Sequence, residues 1–198
     1  MKVLILFAHP AFHKSNVNKV MVDGLSATDS VTFHDLYQAY PDFDIDIERE
    51  QELLSQHDCV IFHYPFFWYS NPALLKEWQD LVLTHGWAFG SKGNMLKGKL
   101  FFTAITAGGP KASYTNDSFN GYTIQQLIAP LLQSAMLCKM ITLPPFIVYG
   151  THAIELPEVM KQKRIYSELL RQLAEDEFEV EAALEYEDLN DYITHKMK

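Results

Sequence analysis
The chain alternates between short unbroken apolar runs and stretches where apolar residues recur every three or four positions. Val3 to Ala8 is uninterrupted, as a strand buried on both faces requires. Beyond a polar loop, Val17, Val20, Met21 and Leu25 repeat at helical spacing. Alternation at Val31, Phe33 and Tyr37 predicts a second strand, and a helix around Glu48 to Gln56 follows the acidic loop Asp42 to Asp46. Cys59 to His63 predicts a third strand, and Leu74, Leu75, Trp78, Leu81 and Val82 the next helix. Leu100 to Thr106 predicts a fourth strand. A long loop leads to a helix around Ile124 to Leu137, and a fifth strand lies near Met140 to Val148. Helical spacing returns at Ile165, Leu169, Leu170 and Leu173.

Five strands alternating with helices predict an α/β protein with a five-stranded parallel sheet and helices on both faces. Right-handed crossovers leave the flavodoxin-like order 2-1-3-4-5 as the expected topology. Ligands of such sheets bind beyond the carboxyl ends of the strands, at the switch point between strands 1 and 3. No internal repeat, low-complexity stretch or linker interrupts the pattern. One domain over residues 1–198 is expected, with 179–198 an acidic, exposed C-terminal extension.

Composition narrows the function classes. A formal net charge of −9 argues against nucleic acid, whose phosphates need a basic face. It leaves room for a nucleotide cofactor, which needs only a local pocket of donors. Cys59 and Cys138 are too few for a disulfide framework, and each adjoins an apolar run, so two buried thiols in a reducing compartment are expected. Val3 to Ala8 is too short for a signal segment and runs into His9 and Pro10, and no stretch approaches the roughly 20 apolar residues of a membrane span. A cytoplasmic protein is expected, free to dock at the inner face of the cell membrane.

Three predicted loops at the carboxyl ends of strands 1, 3 and 4 carry unusual residues. The first, His9-Pro10-Ala11-Phe12-His13-Lys14-Ser15-Asn16-Val17-Asn18, runs into a helix. Ser15 is a good N-cap, the free N–H groups behind it suit a phosphate, and His9 can add a donor. An ordinary capped helix with a surface histidine explains the same residues. The second loop, Tyr64-Pro65-Phe66-Phe67-Trp68-Tyr69-Ser70-Asn71-Pro72, sets four consecutive aromatics between prolines. They form either a wall for a planar ring or a hydrophobic contact between two copies, and these readings are compatible. In the third, Thr106-Ala107-Gly108-Gly109-Pro110, paired glycines let backbone amides approach a ligand and hold developing negative charge; a plain turn is the alternative.

Other patterns fail on context. Gly93-Asn94-Met95-Leu96-Lys97-Gly98-Lys99 approaches a P-loop, but Leu100 replaces the required Ser or Thr and a strand follows where a helix should. The loop after strand 1 has no G-x-G-x-x-G for a dinucleotide pyrophosphate. His9 and His13 flank Pro10 with no Cys or carboxylate cluster to complete a zinc site. Asp42, Asp44 and Asp46 lack the glycine and final Glu of a calcium loop.

Taken in order, His9-Pro10 with Ser15 and Asn18, the Pro65/Trp68-Tyr69 loop and Thr106-Ala107-Gly108-Gly109 resemble the NAD(P)H:quinone oxidoreductases related to DT-diaphorase. Leu36-Tyr37-Gln38-Ala39-Tyr40-Pro41-Asp42-Phe43, Pro72-Ala73-Leu74-Leu75-Lys76-Glu77-Trp78 and His85-Gly86-Trp87-Ala88 are similar to the ancillary quinone-reductase subunits of bacterial glutathione-gated potassium-efflux systems. The likeness covers roughly 2–150. It implies FMN rather than FAD, NADH or NADPH as co-substrate, a quinone acceptor, ping-pong turnover, a homodimer, and a membrane potassium-efflux transporter as a candidate partner. By position, His9 and Ser15, Asn16, Val17 and Asn18 would hold the FMN phosphate and ribityl chain. Pro65, Phe66, Phe67, Trp68 and Tyr69 would line the isoalloxazine, and Thr106, Ala107, Gly108 and Gly109 its pyrimidine edge. Tyr114 matches an active-site tyrosine. Three positions depart from the family pattern: Phe67 where relatives often have Gln, Ala107 where a second Thr is usual, and Asn120 in place of a histidine before Gly121. Three functions follow: a quinone reductase, a transporter-regulating subunit whose reductase activity is secondary, and a one-electron carrier. The last is disfavoured by the missing Ser/Thr-rich phosphate loop.

Overall fold
In the computed structural model, which describes residues 1–25 and 30–198, the three central strands are buried at every position: β1 (Val3–Phe7), β3 (Cys59–Pro65) and β4 (Leu100–Thr106). Their unbroken apolar sequences suit strands covered on both faces. With β2 (Val31–Asp35), β5 (Ile141–Thr142) and β6 (Phe146–Val148) they form a parallel sheet of order β2-β1-β3-β4-β5, in which β6 also pairs with β4. The expected order 2-1-3-4-5 is therefore the observed one.

Alternation along each strand divides the core. Leu4 and Leu6 face a cluster with Leu54 of α3 (Ile47–Ser55), Trp78 of α4 (Ala73–Val82), Ile124 of α5 (Ile124–Leu127) and Leu131 of α6 (Ala129–Leu137). Val3 and Ile5 face the opposite cluster, with Met21 of α1 (Asn16–Val22) and Tyr166 and Leu169 of α7 (Leu156–Ala174). Cys59 and Cys138 are both buried, free thiols. Among the described residues no helix is long and apolar enough to cross a membrane.

Four expectations change. Tyr37 lies in the short helix α2 (Leu36–Ala39), not in strand 2, because Asp35 Oδ1 accepts from Tyr37 N–H at 3.0 Å and turns the chain. The single fifth strand is two pieces, β5 and β6, separated by Leu143-Pro144-Pro145; prolines cannot donate to a ladder. The helix expected over 124–137 is likewise divided, with Pro130 opening its second part.

The C-terminal segment is acidic but not an exposed extension. It forms α8 (Val180–Ala183) and α9 (Leu189–Lys196), whose Ala183, Leu189, Tyr192 and Ile193 enter the α1/α7 side of the core. Asn190 grips the backbone of β6 at Ile147 from both sides, accepting from its N–H at 2.8 Å and donating to its carbonyl at 3.0 Å. A side-chain amide thus occupies backbone groups of a short edge strand.

On the opposite face Glu50 is fully buried and accepts from His34 Nε2 (2.8 Å), Tyr40 hydroxyl (2.5 Å) and Trp78 indole (2.8 Å). Burial alone would raise its pKa. Its hydrogen bonds to His34, Tyr40 and Trp78 together outweigh burial and hold the carboxyl below its ordinary value.

Candidate functional site
Register sets the site. Phe7 pairs with His63 and Pro65 with Thr106, so β1, β3 and β4 end close together and their three loops leave one edge of the sheet. Between these loops lies a cavity of about 760 Å³. His9, Ser15, Asn16, Val17, Asn18, Pro65, Phe66, Phe67, Trp68, Tyr69, Thr106, Gly108, Gly109 and Tyr114 all line it. Ala107 does not. It is fully buried, donating its N–H to Val148 carbonyl at 2.8 Å and accepting from Thr151 N–H at 3.1 Å.

The first loop makes a 3-10 turn at Phe12–Lys14 before Ser15 caps α1. Ser15 Oγ accepts from Asn18 N–H (3.0 Å) and from Asn18 Nδ2 (3.1 Å). Asn18 Nδ2 also donates to Thr106 Oγ1 at 3.0 Å, while Asn18 Oδ1 lies 3.2 Å from Nε2 of buried His63. Burial pushes the His63 pKa down to about 3, so the ring is neutral and the network assigns its proton to Nε2. The amide of Asn18 therefore ties α1 to the ends of β3 and β4.

This wiring has a chemical result. Both lone pairs of Ser15 Oγ are occupied, so its remaining capacity is its own O–H donor. Thr106 Oγ1 likewise accepts and retains its proton. Among the described residues neither hydroxyl donates to a protein acceptor, and both residues line the cavity. His9 adds a third donor. Its Nδ1 accepts from Ala11 N–H at 3.1 Å, and burial lowers its pKa, so the neutral ring carries its proton on Nε2. The N–H groups of Asn16 and Val17, in the first turn of α1, have no acceptor within the helix. The arrangement offers donors in excess, as an anion requires.

The aromatic loop is a tight turn. Phe67 and Ser70 pair across it, with Ser70 N–H donating to Phe67 carbonyl at 3.1 Å. Both central residues have positive φ, Trp68 at 51° and Tyr69 at 61°, positions that favour Asn-Gly. Each costs about 1–2 kcal/mol for a side chain bearing Cβ. Phe66 turns inward and is buried, whereas Phe67, Tyr69 and above all Trp68, 92% exposed, stand at the cavity mouth. Tyr69 hydroxyl donates to Asn120 Oδ1 at 3.0 Å, and Asn120 Nδ2 donates to Ser113 carbonyl at 2.7 Å. Asn120 thus anchors the turn to the loop after β4.

The glycine loop is clamped from beneath. Gly150 N–H donates to Gly109 carbonyl at 2.9 Å, extending the β6–β4 pairing past the strand end. A Cβ on Gly108 would lie 2.3 Å from Nε2 of His152, so that ring stands in the space a side chain there would take. A Cβ on Gly109 would come within 3.3 Å of the Tyr114 ring. Burial raises the Tyr114 pKa, opposed in part by the Gly109 amide, so its hydroxyl is a neutral donor at physiological pH.

Sequence reasoning assigned no site role to Thr151, His152, Ser113 or Phe119, all of which line the cavity. The signal for the first pair was their position: Gly150-Thr151-His152 follows the last strand on the ligand edge of the sheet. Phe119, 99% exposed, carries none.

A profile of the family described as flavodoxin-like fold matches residues 1–173. The chain is 43% identical over 169 residues to the glutathione-regulated potassium-efflux system ancillary protein KefG of an Enterobacter species, covering 85% of this chain and 92% of that one. Among solved structures it resembles general stress protein 14 of Treponema denticola in complex with FMN, with a TM-score of 0.81 and 36% identity over 87% of this chain and 99% of that one. It also resembles an NADPH-quinone reductase from P. pentosaceus, with a TM-score of 0.77 and 31% identity over 88% and 98% of the two chains.

Proposed function
This chain belongs to the flavodoxin-like family, and on that premise we propose that it is an FMN-dependent NAD(P)H:quinone oxidoreductase. The observation that carries the proposal is one cavity lined by surplus donors after β1, an aromatic turn after β3 and a two-glycine loop after β4. FMN fits these residues: a phosphate matches the Ser15, Asn16 and Val17 donors, and a planar ring matches the aromatic turn. When bound, FMN accepts a hydride from NADH or NADPH and passes two electrons to a quinone.

The residues then have distinct work. Asn18 orients Ser15 and Thr106 toward the cofactor. Trp68 and Tyr69 cover one face of the ring and exclude water from it. Gly108, whose N–H has no acceptor among the described residues, and Tyr114 offer hydrogen bonds to the edge that becomes negative on reduction. Trp68 and Phe119 are exposed enough to meet a second copy, so a homodimer closes the cavity in this reading. Acid extraction followed by chromatography should release FMN, and the loaded protein should oxidise NADH or NADPH with a benzoquinone. Recovery of FAD alone, or no flavin after reconstitution, counts against the proposal.

The likeness to KefG favours a second role on the same fold, as an ancillary subunit docking at the cytoplasmic side of a potassium-efflux transporter. Co-purification with such a transporter, retained in a variant that cannot bind flavin, would separate docking from reductase activity.

A further inference from the structure
We infer that His152 is a second side-chain donor to the edge of the flavin that gains negative charge on reduction, paired with Tyr114 across the Gly108–Gly109 turn. The inference rests on the flavin reading above. His152 follows β6 in a segment whose backbone is bonded to the glycine loop at Ala107 and Gly109, so its position is fixed by the sheet. Its imidazole occupies the volume that a side chain on Gly108 would fill, within 2.3 Å of an added Cβ. The ring is exposed and lines the cavity, and among the described residues it makes no hydrogen bond.

Two neighbouring side chains that could otherwise take this role are already engaged. Asn120 has its amide oxygen engaged by Tyr69 and its amide nitrogen by Ser113. His63 lies beneath the floor of the site, neutral and bonded to Asn18. Tyr114 flanks Gly109 as His152 flanks Gly108. Two donors therefore meet the same two-residue turn from different loops. A donor at that edge interacts more strongly with the reduced, negatively charged ring than with the oxidised, neutral one. His152 should hence set the cofactor's preference between redox states more than its overall affinity.

The test measures the midpoint potential of bound FMN, and the Kd of oxidised FMN, in the intact protein and in His152→Ala and His152→Gln. Loss of the donor should leave the Kd of oxidised FMN within about twofold. It should weaken the preference for reduced over oxidised flavin about tenfold, which for a two-electron couple moves the potential about 30 mV more negative. His152→Gln, which keeps a donor, should recover part of the shift. An unchanged potential in His152→Ala with FMN bound overturns the inference, as does an equal weakening of both redox states. Should His152→Ala not fold, a His152→Gln variant with neither potential nor Kd altered, beside a His152→Leu variant that matches it, overturns it equally. If the intact protein binds no flavin, the functional reading fails instead, and that outcome is visible before any variant is made.

Discussion

Truncating Trp68 separates a ligand wall from a core residue. At 92% exposure the side chain buries little. Of the roughly 250 Å² that a tryptophan can bury, under a tenth is covered, about 20 Å², worth about 0.5 kcal/mol. Trp68→Ala keeps Cβ and therefore the strain of the positive φ, so the apo-protein should lose no more than that half kilocalorie. Trp68→Gly removes the left-handed penalty of about 1–2 kcal/mol and gives back about 0.4–1 kcal/mol through the freer unfolded chain. The apo-protein should gain roughly 0–1 kcal/mol, a Tm rise of at most about 4 °C for a chain of this length. Both variants lose the stacking surface, worth about 1–3 kcal/mol where aromatic side chains meet flat heterocycles, so FMN affinity should fall about 5- to 150-fold. Thermal melts of apo-protein at two concentrations, beside FMN titrations by fluorescence, give both quantities. The two concentrations expose any part played by self-association. Apo destabilisation of the roughly 3–5 kcal/mol typical of a core aromatic, or an unchanged FMN affinity, would refute the reasoning.

Tyr114→Phe should slow reduction of the bound flavin by NADH or NADPH about ten- to a hundredfold with FMN occupancy unchanged, measured by stopped flow; an unaltered rate makes Tyr114 a packing residue. Asn18→Ala should weaken FMN binding and lower stability by about 2–3 kcal/mol, since it leaves buried His63 without its acceptor and releases Ser15 and Thr106; calorimetry of the apo-protein checks the second part. Glu50→Gln should cost about 3 kcal/mol at neutral pH, because an amide replaces one acceptor oxygen with a donor among three donors. The folded Glu50 pKa lies below its unfolded value, so its stabilisation is present above about pH 4.5 and is lost as pH falls through the folded pKa. Denaturation curves from pH 7 to pH 3 should therefore fall less steeply for the variant, and parallel slopes would contradict the assignment.

The order of the sheet was legible because β1, β3 and β4 are covered on both faces, which demands the continuous apolar runs that are easiest to recognise. What failed was short or capped by local chemistry. Asp35 ends β2 through a side-chain bond that periodicity does not register. Leu143-Pro144-Pro145 sits inside an apolar stretch that reads as one strand until the missing N–H groups are counted. In the C-terminal segment, Glu179, Glu181, Glu185 and Glu187 dominate the composition while Leu189, Tyr192 and Ile193, at helical spacing, carry the packing. Those four glutamates describe that segment's solvent side only.

The site was legible as three loops but not as a wired object. No pattern in His9 to Asn18 reveals that Asn18 reaches Thr106, 88 positions away, and that contact is what leaves both hydroxyl protons for a ligand. The aromatic turn makes the same point in energetic terms. An Asn-Gly pair would satisfy its backbone with little strain, whereas Trp68 and Tyr69 cost about 2–4 kcal/mol together. That is a sizeable fraction of the roughly 5–15 kcal/mol by which a native domain is stable. The Tyr69–Asn120–Ser113 link and the Phe67–Ser70 pair hold the turn in place, but neither requires an indole pointing into solvent. Strain retained around an exposed aromatic at the rim of a donor-rich cavity argues from an observed outlier to a binding role. The stability forgone at this turn is the strongest physical reason to place a planar ligand against Trp68.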